Sequence, residues 1–235
     1  ILNTNYVTIK NTKMEHYYFK EQKSPLKIKK IIQKFRNINF EFCTASGVFS
    51  KEKIDKGTSI LAENMIIGKN SKVLDIGCGI GILGIIAAKL FNANVVMSDI
   101  NKRAVMLAKM NCKLNNVKCE IYQGNLYEKV KENDFDVILL NPPQTAGKEV
   151  CFKLVEQSKE HLKTNGNLQL VARHNKGGNT LSKKMEEVFG NVKVIAKKAG
   201  YWIYKSKKNP TAPLPHPLSQ PLTLLQLQVL TMLIK

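Results

Sequence analysis

Three groups of residues in this 235-residue chain have types and spacings that could do chemistry. The first is Val73-Leu74-Asp75-Ile76-Gly77-Cys78-Gly79-Ile80-Gly81: an apolar run ending in an acid, glycine at alternate positions, then a helical pattern from Ile82. A strand delivers the acid to its carboxyl end. Glycine lets a ligand approach the backbone and makes positive φ available. The helix that follows offers free N–H groups and the positive end of its dipole. This is a nucleotide-type site at the carboxyl ends of strands in an open α/β sheet. Gly79–Gly84 also fits G-x-G-x-x-G, a pattern that is weak alone. Asp75 just before the turn would repel a pyrophosphate and would suit a cationic amine, directly or through water.

The second group is Asp99, which ends the apolar run Val95-Val96-Met97-Ser98 about 20 residues past the glycines, where an acid can accept both hydroxyls of a ribose. It reads equally as a helix N-cap. The third is Asn141-Pro142-Pro143-Gln144, directly after Phe135-Asp136-Val137-Ile138-Leu139-Leu140. Pro142 has no N–H and a fixed φ, and Pro143 restricts Pro142 to an extended conformation. The pair holds the Asn141 side chain and nearby carbonyls rigidly. Two acceptors aimed at one point suit an NH₂ group, holding both hydrogens and directing the nitrogen lone pair. The purely structural reading is a Pro-Pro turn with a capping Asn.

The pattern D-x-G-x-G-x-G at Asp75–Gly81 resembles the first motif of the class I S-adenosylmethionine-dependent methyltransferases. With Asn141-Pro142-Pro143 it resembles the members that modify exocyclic or amide nitrogen. Adding Gly47-Val48-Phe49-Ser50, Asp55, Gly57, Thr58 and Gly147-Lys148, the chain from about His16 to Lys208 is most similar to the small-domain family of ribosomal RNA guanine-N2 methyltransferases. The resemblance implies S-adenosylmethionine as cofactor, N2 of guanine in small-subunit ribosomal RNA as target, and a Rossmann-like fold. Asp75, Gly77, Cys78, Gly79 and Gly81 would hold the methionine end, with Phe49 and Thr58 closing over it. Asp99 would hold the ribose and Ile100 one face of the adenine. Asn125 and the Leu126 N–H would meet the adenine edge, although Asn125 also reads as a turn former. Asn141 would orient the amine, with Pro142, Pro143 and Gln144 beside it. Many members carry an aromatic where this chain has Gln144. A glutamine cannot stack on a base, but it can hydrogen-bond a base edge. The same Asn-Pro-Pro logic serves adenine N6 or protein glutamine, and a chain of this fold could also bind nucleic acid without turnover.

These groups need elements to position them. Apolar runs at 73–76, 94–97, 117–122, 135–140 and 167–172 read as strands buried on both faces. Helical periodicity lies between them: Ala104, Leu107 and Leu114; Cys151, Leu154, Val155 and Leu162; Leu181, Met185, Val188 and Phe189. The alternation predicts right-handed βαβ units, and a hairpin around Gly200 closes a seven-stranded, mostly parallel sheet with helices on both faces. Upstream, His16-Tyr17-Tyr18-Phe19 reads as a short strand and Ser24-Pro25 as a helix start. Ile28, Ile31, Ile32 and Phe35 then predict a helix with one apolar face, its opposite face carrying Lys27, Lys29, Lys30 and Lys34, either solvated or RNA-facing. Asn39–Phe42 reads as a strand, and Asp55 and Thr58 as candidate caps of the next helix. The expected division is a tail at 1–15, a methyltransferase domain at 16–208 (extension 16–70, core 71–208), and a Pro/Leu-rich tail at 209–235.

The formal net charge is +19 and the pI about 9.7, which favours a polyanionic partner, here ribosomal RNA or the small subunit. A lysine-rich composition without nucleic-acid contact is the bland alternative. The five cysteines form no C-x-x-C pair and the four histidines are scattered, so reduced thiols in a cytoplasmic protein and no metal site are expected. No signal-peptide pattern is seen, and no apolar run reaches the ~20 residues of a membrane helix.

Overall fold

The computed structural model describes residues 26–48 and 54–210. The expected strand at 16–19, the Ser24-Pro25 helix start, Phe49, Ser50 and the tail beyond residue 210 lie outside the described residues.

A seven-stranded sheet runs in the order β5-β4-β3-β6-β7-β9-β8. Its members are β3 (Lys72–Ile76), β4 (Asn94–Asp99), β5 (Glu120–Gln123), β6 (Phe135–Leu140), β7 (Leu162–Arg173), β8 (Lys193–Lys198) and β9 (Tyr201–Lys207). Strands β3 to β7 pair in parallel. The closing hairpin β8–β9 is antiparallel and joins through β9 to β7. One apolar layer packs α1 (Lys56–Asn64), α2 (Ile82–Phe91) and α3 (Lys102–Leu114) on Val73, Val137, Leu139 and Val171. The other packs α4 (Lys148–His161) and α5 (Asn179–Phe189) on Leu74, Ile138, Leu140 and Leu170. Successive strand residues therefore feed opposite layers, which is why these runs are apolar without alternation. Strand β5 departs from the expectation for 117–122. It spans only Glu120–Gln123 and is half-exposed, because it ends the sheet and pairs on one side.

The helix expected over residues 28–35 is absent. That segment is β1 (Ile28–Phe35), paired antiparallel with β2 (Ile38–Ala45) in a separate two-stranded sheet. Arg36 and Asn37 have φ of 45° and 66°, and this two-residue turn with both φ positive matches the twist of a hairpin. The i, i+3, i+4, i+7 spacing of Ile28, Ile31, Ile32 and Phe35 is incidental: Ile28 and Ile32 are 47% and 65% exposed, and β-branched residues favour the strand. The ribbon docks through Phe35, Phe40 and Phe42, all buried. Two asparagines of α3 fasten it. Asn111 exchanges two hydrogen bonds with the Cys43 backbone (2.6 and 3.0 Å). Asn115 does the same with Glu41 (3.2 and 2.7 Å). Asn111 also donates to the Ile80 carbonyl at 2.9 Å, tying the ribbon to the glycine turn.

Candidate active site

At the carboxyl end of β3, Gly77, Gly79 and Gly81 have φ of 67°, 56° and 86°, the left-handed conformations that their alternate spacing allows. The turn they make is bonded to β4: Gly77 and Cys78 donate to the Ser98 carbonyl (2.8 and 3.1 Å). Gly79 donates to Asp99 Oδ2 and Asn101 to Asp99 Oδ1, both at 2.8 Å. Helix α2 has no side-chain cap, and Asp75 Oδ2 accepts the Gly84 N–H of its first turn at 2.9 Å. Asp75 is 1% exposed. Burial pushes its carboxyl up to about 7; the Gly84 N–H opposes the shift and the Asp99 charge adds to it. Burial raises Asp99 as well, opposed by the N–H groups of Asn101 and Gly79.

A cleft opens over this turn. Of the expected residues, Thr58, Asp75, Gly77, Cys78, Gly79, Asp99, Ile100, Leu126, Asn141, Pro142 and Pro143 line it. Three expected residues do not. A Cβ on Gly81 would lie 3.2 Å from Met97 Sδ and from Ala108 Cβ, so that glycine packs α2 closely onto β4 and α3. Asn125 is exposed, its N–H facing Glu128; the turn reaches the cleft instead through Gly124 and Leu126, the latter at φ 48°. Gln144 is exposed and lies against Gly177. Sequence reasoning also missed part of the lining: Ile80, Ile82 and Leu83 as an apolar wall, Ser98, and Asn101, which caps α3. Alternation along β4 offered one signal, since Ser98 precedes Asp99 at the strand end.

Among the described residues the lining holds two acids and no Lys, Arg or His, in a chain of net charge +19. That donor set suits a group with a cationic end and hydroxyls, and it disfavours a phosphate group. Ser98 Oγ is buried without a partner, an orphan polar atom of the kind that a ligand satisfies. The residues present thus fit the ammonium, ribose and sulfonium of S-adenosylmethionine.

At the end of β6, Pro143 (φ −74°, ψ 76°) forms an inverse γ-turn in which the Pro142 carbonyl accepts the Gln144 N–H at 2.8 Å. Asn141 Nδ2 donates to Asp55 Oδ2 and to Thr58 Oγ1, both at 2.9 Å. A carboxylate only accepts, so the amide nitrogen must face Asp55, and both amide hydrogens are spent. Asn141 is left with Oδ1, a pure acceptor held beside the cleft. Asp55 Oδ2 also accepts the Thr58 N–H at 2.9 Å, so the cap of α1 and the orientation of Asn141 share one oxygen. Sequence reasoning identifies Asp55 and Thr58 as caps and misses the tie to Asn141.

Comparison with known proteins agrees with this geometry. The model of the methyltransferase small domain matches residues 39–205. An uncharacterized protein of Bacillus subtilis, YbxB, is 39% identical over 200 residues, 83% of this chain and 98% of its own length. Ribosomal RNA small subunit methyltransferase C of Psychromonas ingrahamii is 33% identical over 141 residues, 58% of this chain and 40% of its own. The Haemophilus influenzae protein of the same name is 28% identical over 200 residues, 81% and 59%. The chain thus spans about half the length of the ribosomal RNA methyltransferases it matches. Among solved structures, the Thermus thermophilus 16S rRNA N2 G1207 methyltransferase RsmC, in complex with AdoMet and guanosine, superposes with a TM-score of 0.70 at 23% identity, covering 79% of this chain and 52% of that one.

Proposed function

The chain belongs to the methyltransferase small-domain family, and on that premise we propose that it transfers a methyl group from S-adenosylmethionine to the exocyclic N2 amine of guanine in small-subunit ribosomal RNA. One observation carries the reading: Asn141, its amide nitrogen bonded to Asp55 and Thr58 and its Oδ1 left as an acceptor, lines a cleft that among the described residues holds two acids and no basic side chain.

When bound, S-adenosylmethionine supplies a methyl group already activated by its sulfonium. Asp75 and the glycine turn would hold the cationic methionine end, Asp99 would take the ribose hydroxyls, and Ile100 and Leu126 would flank the adenine. Asn141 Oδ1 accepts one hydrogen of the substrate NH₂. The Pro142 carbonyl keeps a second lone pair beside its bond to Gln144 and takes the other. With both hydrogens held, the nitrogen lone pair would be directed at the methyl group that the cofactor supplies. The substrate nitrogen would gain positive charge as it took up the carbon and the cofactor's C–S bond broke, releasing S-adenosylhomocysteine with a neutral sulfur, and its hydrogen bond to Oδ1 would strengthen in the transition state. Positioning supplies much of the acceleration. The proton leaves the nitrogen after transfer, so no strong base is required.

The names of the methyltransferase C relatives support ribosomal RNA as substrate, and the charge of +19 favours RNA over protein. The domain at 16–208 and a cytoplasmic location belong to the same reading. Among the described residues no helix is long and apolar enough to cross a membrane. The test is methyl transfer from radiolabelled S-adenosylmethionine to unmodified small-subunit RNA and assembled subunits, with DNA and protein in parallel. N2-methylguanosine in the nucleoside digest is the expected product. Label in adenine or glutamine would overturn the choice of substrate.

A further inference from the structure

One cluster lies outside this chemistry. Across β7 and β9, Ala172 pairs with Trp202 and Arg173 with Tyr201. The His174 ring stacks on Trp202 with centroids 3.6 Å apart and planes 9° from parallel. Lys197 Nζ lies 4.0 Å from the Trp202 centroid. Two groups at such distances cannot share one face, so the indole is sandwiched between an imidazole and an exposed lysine. His174 Nδ1 lies 2.8 Å from the Tyr204 hydroxyl. Burial pushes that hydroxyl up to about 12, so it keeps its proton, and its bond to Nδ1 fixes the orientation of the imidazole. Arg173 lies over Tyr201 at 5.7 Å, and Lys176 and Lys198 are exposed nearby in sequence.

This cluster adjoins the site. Gln144, next to Pro143, comes within 3.3 Å of the Cβ position of Gly177, which shares the His174–Gly178 loop. Trp202 is on β9, two strands from β6, about 10 Å at the usual spacing. A half-buried aromatic pair among exposed cations is the pattern that binds unpaired nucleotides. The lysine shields one indole face, and a base could replace it there.

We propose that the His174–Trp202 stack is a platform for a nucleotide flanking the target base in single-stranded RNA. The flanking base stacks on the indole in place of the Lys197 ammonium, which moves to a backbone phosphate. The proposal rests on the reading of RNA as substrate, and it locates grip on the RNA away from Gln144, which cannot stack.

Trp202 is the chain's one tryptophan, so its fluorescence reports the platform directly. The full chain is titrated with a single-stranded oligoribonucleotide of mixed sequence and with a duplex of the same sequence. Saturable quenching by the single strand and not by the duplex is expected. Trp202→Ala should weaken single-strand binding, read by the anisotropy of a labelled strand, about 5- to 160-fold. It should also raise KM for RNA with kcat and cofactor Kd unchanged, while Trp202→Phe keeps a near-parental KM. If RNA is methylated but fluorescence is unmoved and Trp202→Ala keeps its KM, the platform is refuted and the RNA reading stands. If RNA is not methylated yet the single strand quenches, the reading fails and the platform survives as an RNA site. Equal quenching by the duplex refutes stacking.

Discussion

Replacing Thr58 by Val deletes the hydroxyl that receives one hydrogen of the Asn141 amide at 2.9 Å and keeps the branched shape of the side chain. The loss is one neutral hydrogen bond, worth about 0.5–1.5 kcal/mol, so kcat should fall about 2- to 13-fold. Asp55→Ala removes the charged partner of the other hydrogen, also at 2.9 Å. Bonds to a charged group are worth about 1.5–3 kcal/mol, which predicts about a 13- to 150-fold loss. It also uncaps α1 and should cost about 1 kcal/mol of stability, read separately by thermal unfolding. Single-turnover methyl transfer at saturating cofactor measures the rates, and calorimetry the cofactor affinity, which Asp55→Ala should change little because Asp55 is not among the residues lining the cleft. The decisive step is a double-mutant cycle. Once Asn141→Ala has removed the amide, Thr58→Val and Asp55→Ala should have almost no further effect on rate. Rate losses that persist undiminished in the Asn141→Ala background would refute the idea that these residues act through Asn141.

Asp75 should show its buried charge in the pH dependence of stability. Its carboxyl ionises at about 7 in the folded chain and near 3.8 when unfolded, so the folded state holds the proton more tightly. Stability is then lost as pH rises between those values, by on the order of 4 kcal/mol once above about 7. Asp75→Asn, which keeps an acceptor for Gly84, should raise Tm at pH 8 and lose that advantage near pH 4; an equal gain at both would contradict this. Cofactor affinity of the parent protein should weaken as pH falls below about 7, measured by calorimetry, because a protonated carboxyl no longer attracts an ammonium. Asp99→Asn should weaken cofactor binding about 10- to 150-fold by replacing a charged acceptor of two hydroxyls; an unchanged Kd would remove the ribose contact. Neutralising Lys27, Lys29 and Lys34 on the exposed ribbon should flatten the salt dependence of RNA binding, lowering its logarithmic slope by about one for each phosphate no longer neutralised. An unaltered slope would make that strand a solvated face.

Much of the core is legible because its signals are local. The apolar runs that form β3, β4 and β6 are buried on both faces, so their polar residues, Asp75, Ser98 and Asp99 among them, fall near the strand ends. The glycines at 77, 79 and 81 each occupy a left-handed position that their spacing announces. The β1 segment misleads because isoleucine at helical spacing fits two periods at once, and the deciding information is a positive-φ turn at Arg36-Asn37 with no glycine to mark it. The tie from Asp55 to Asn141 spans 86 residues and depends on how α1 docks. No local pattern encodes it, and capping explains Asp55 sufficiently on its own. The His174–Trp202 stack arises the same way, from the pairing of β7 with β9. Asn125 misses the cleft because its neighbour Leu126 takes a left-handed turn that a bulky residue rarely adopts.

The asparagines of α3 have a consequence for solubility. Residues 41 and 43 of β2 turn their N–H and C=O groups away from β1, and a strand left so is a template on which another chain can add. Asn111 and Asn115, one helical turn apart, answer two alternate residues with an acceptor and a donor each, the pattern that a neighbouring antiparallel strand would present. Two carboxamides on a helix thereby impersonate a third strand. The ribbon is terminated on that side by side chains that cannot propagate a sheet, and the protein is spared an adhesive edge beside its own active site.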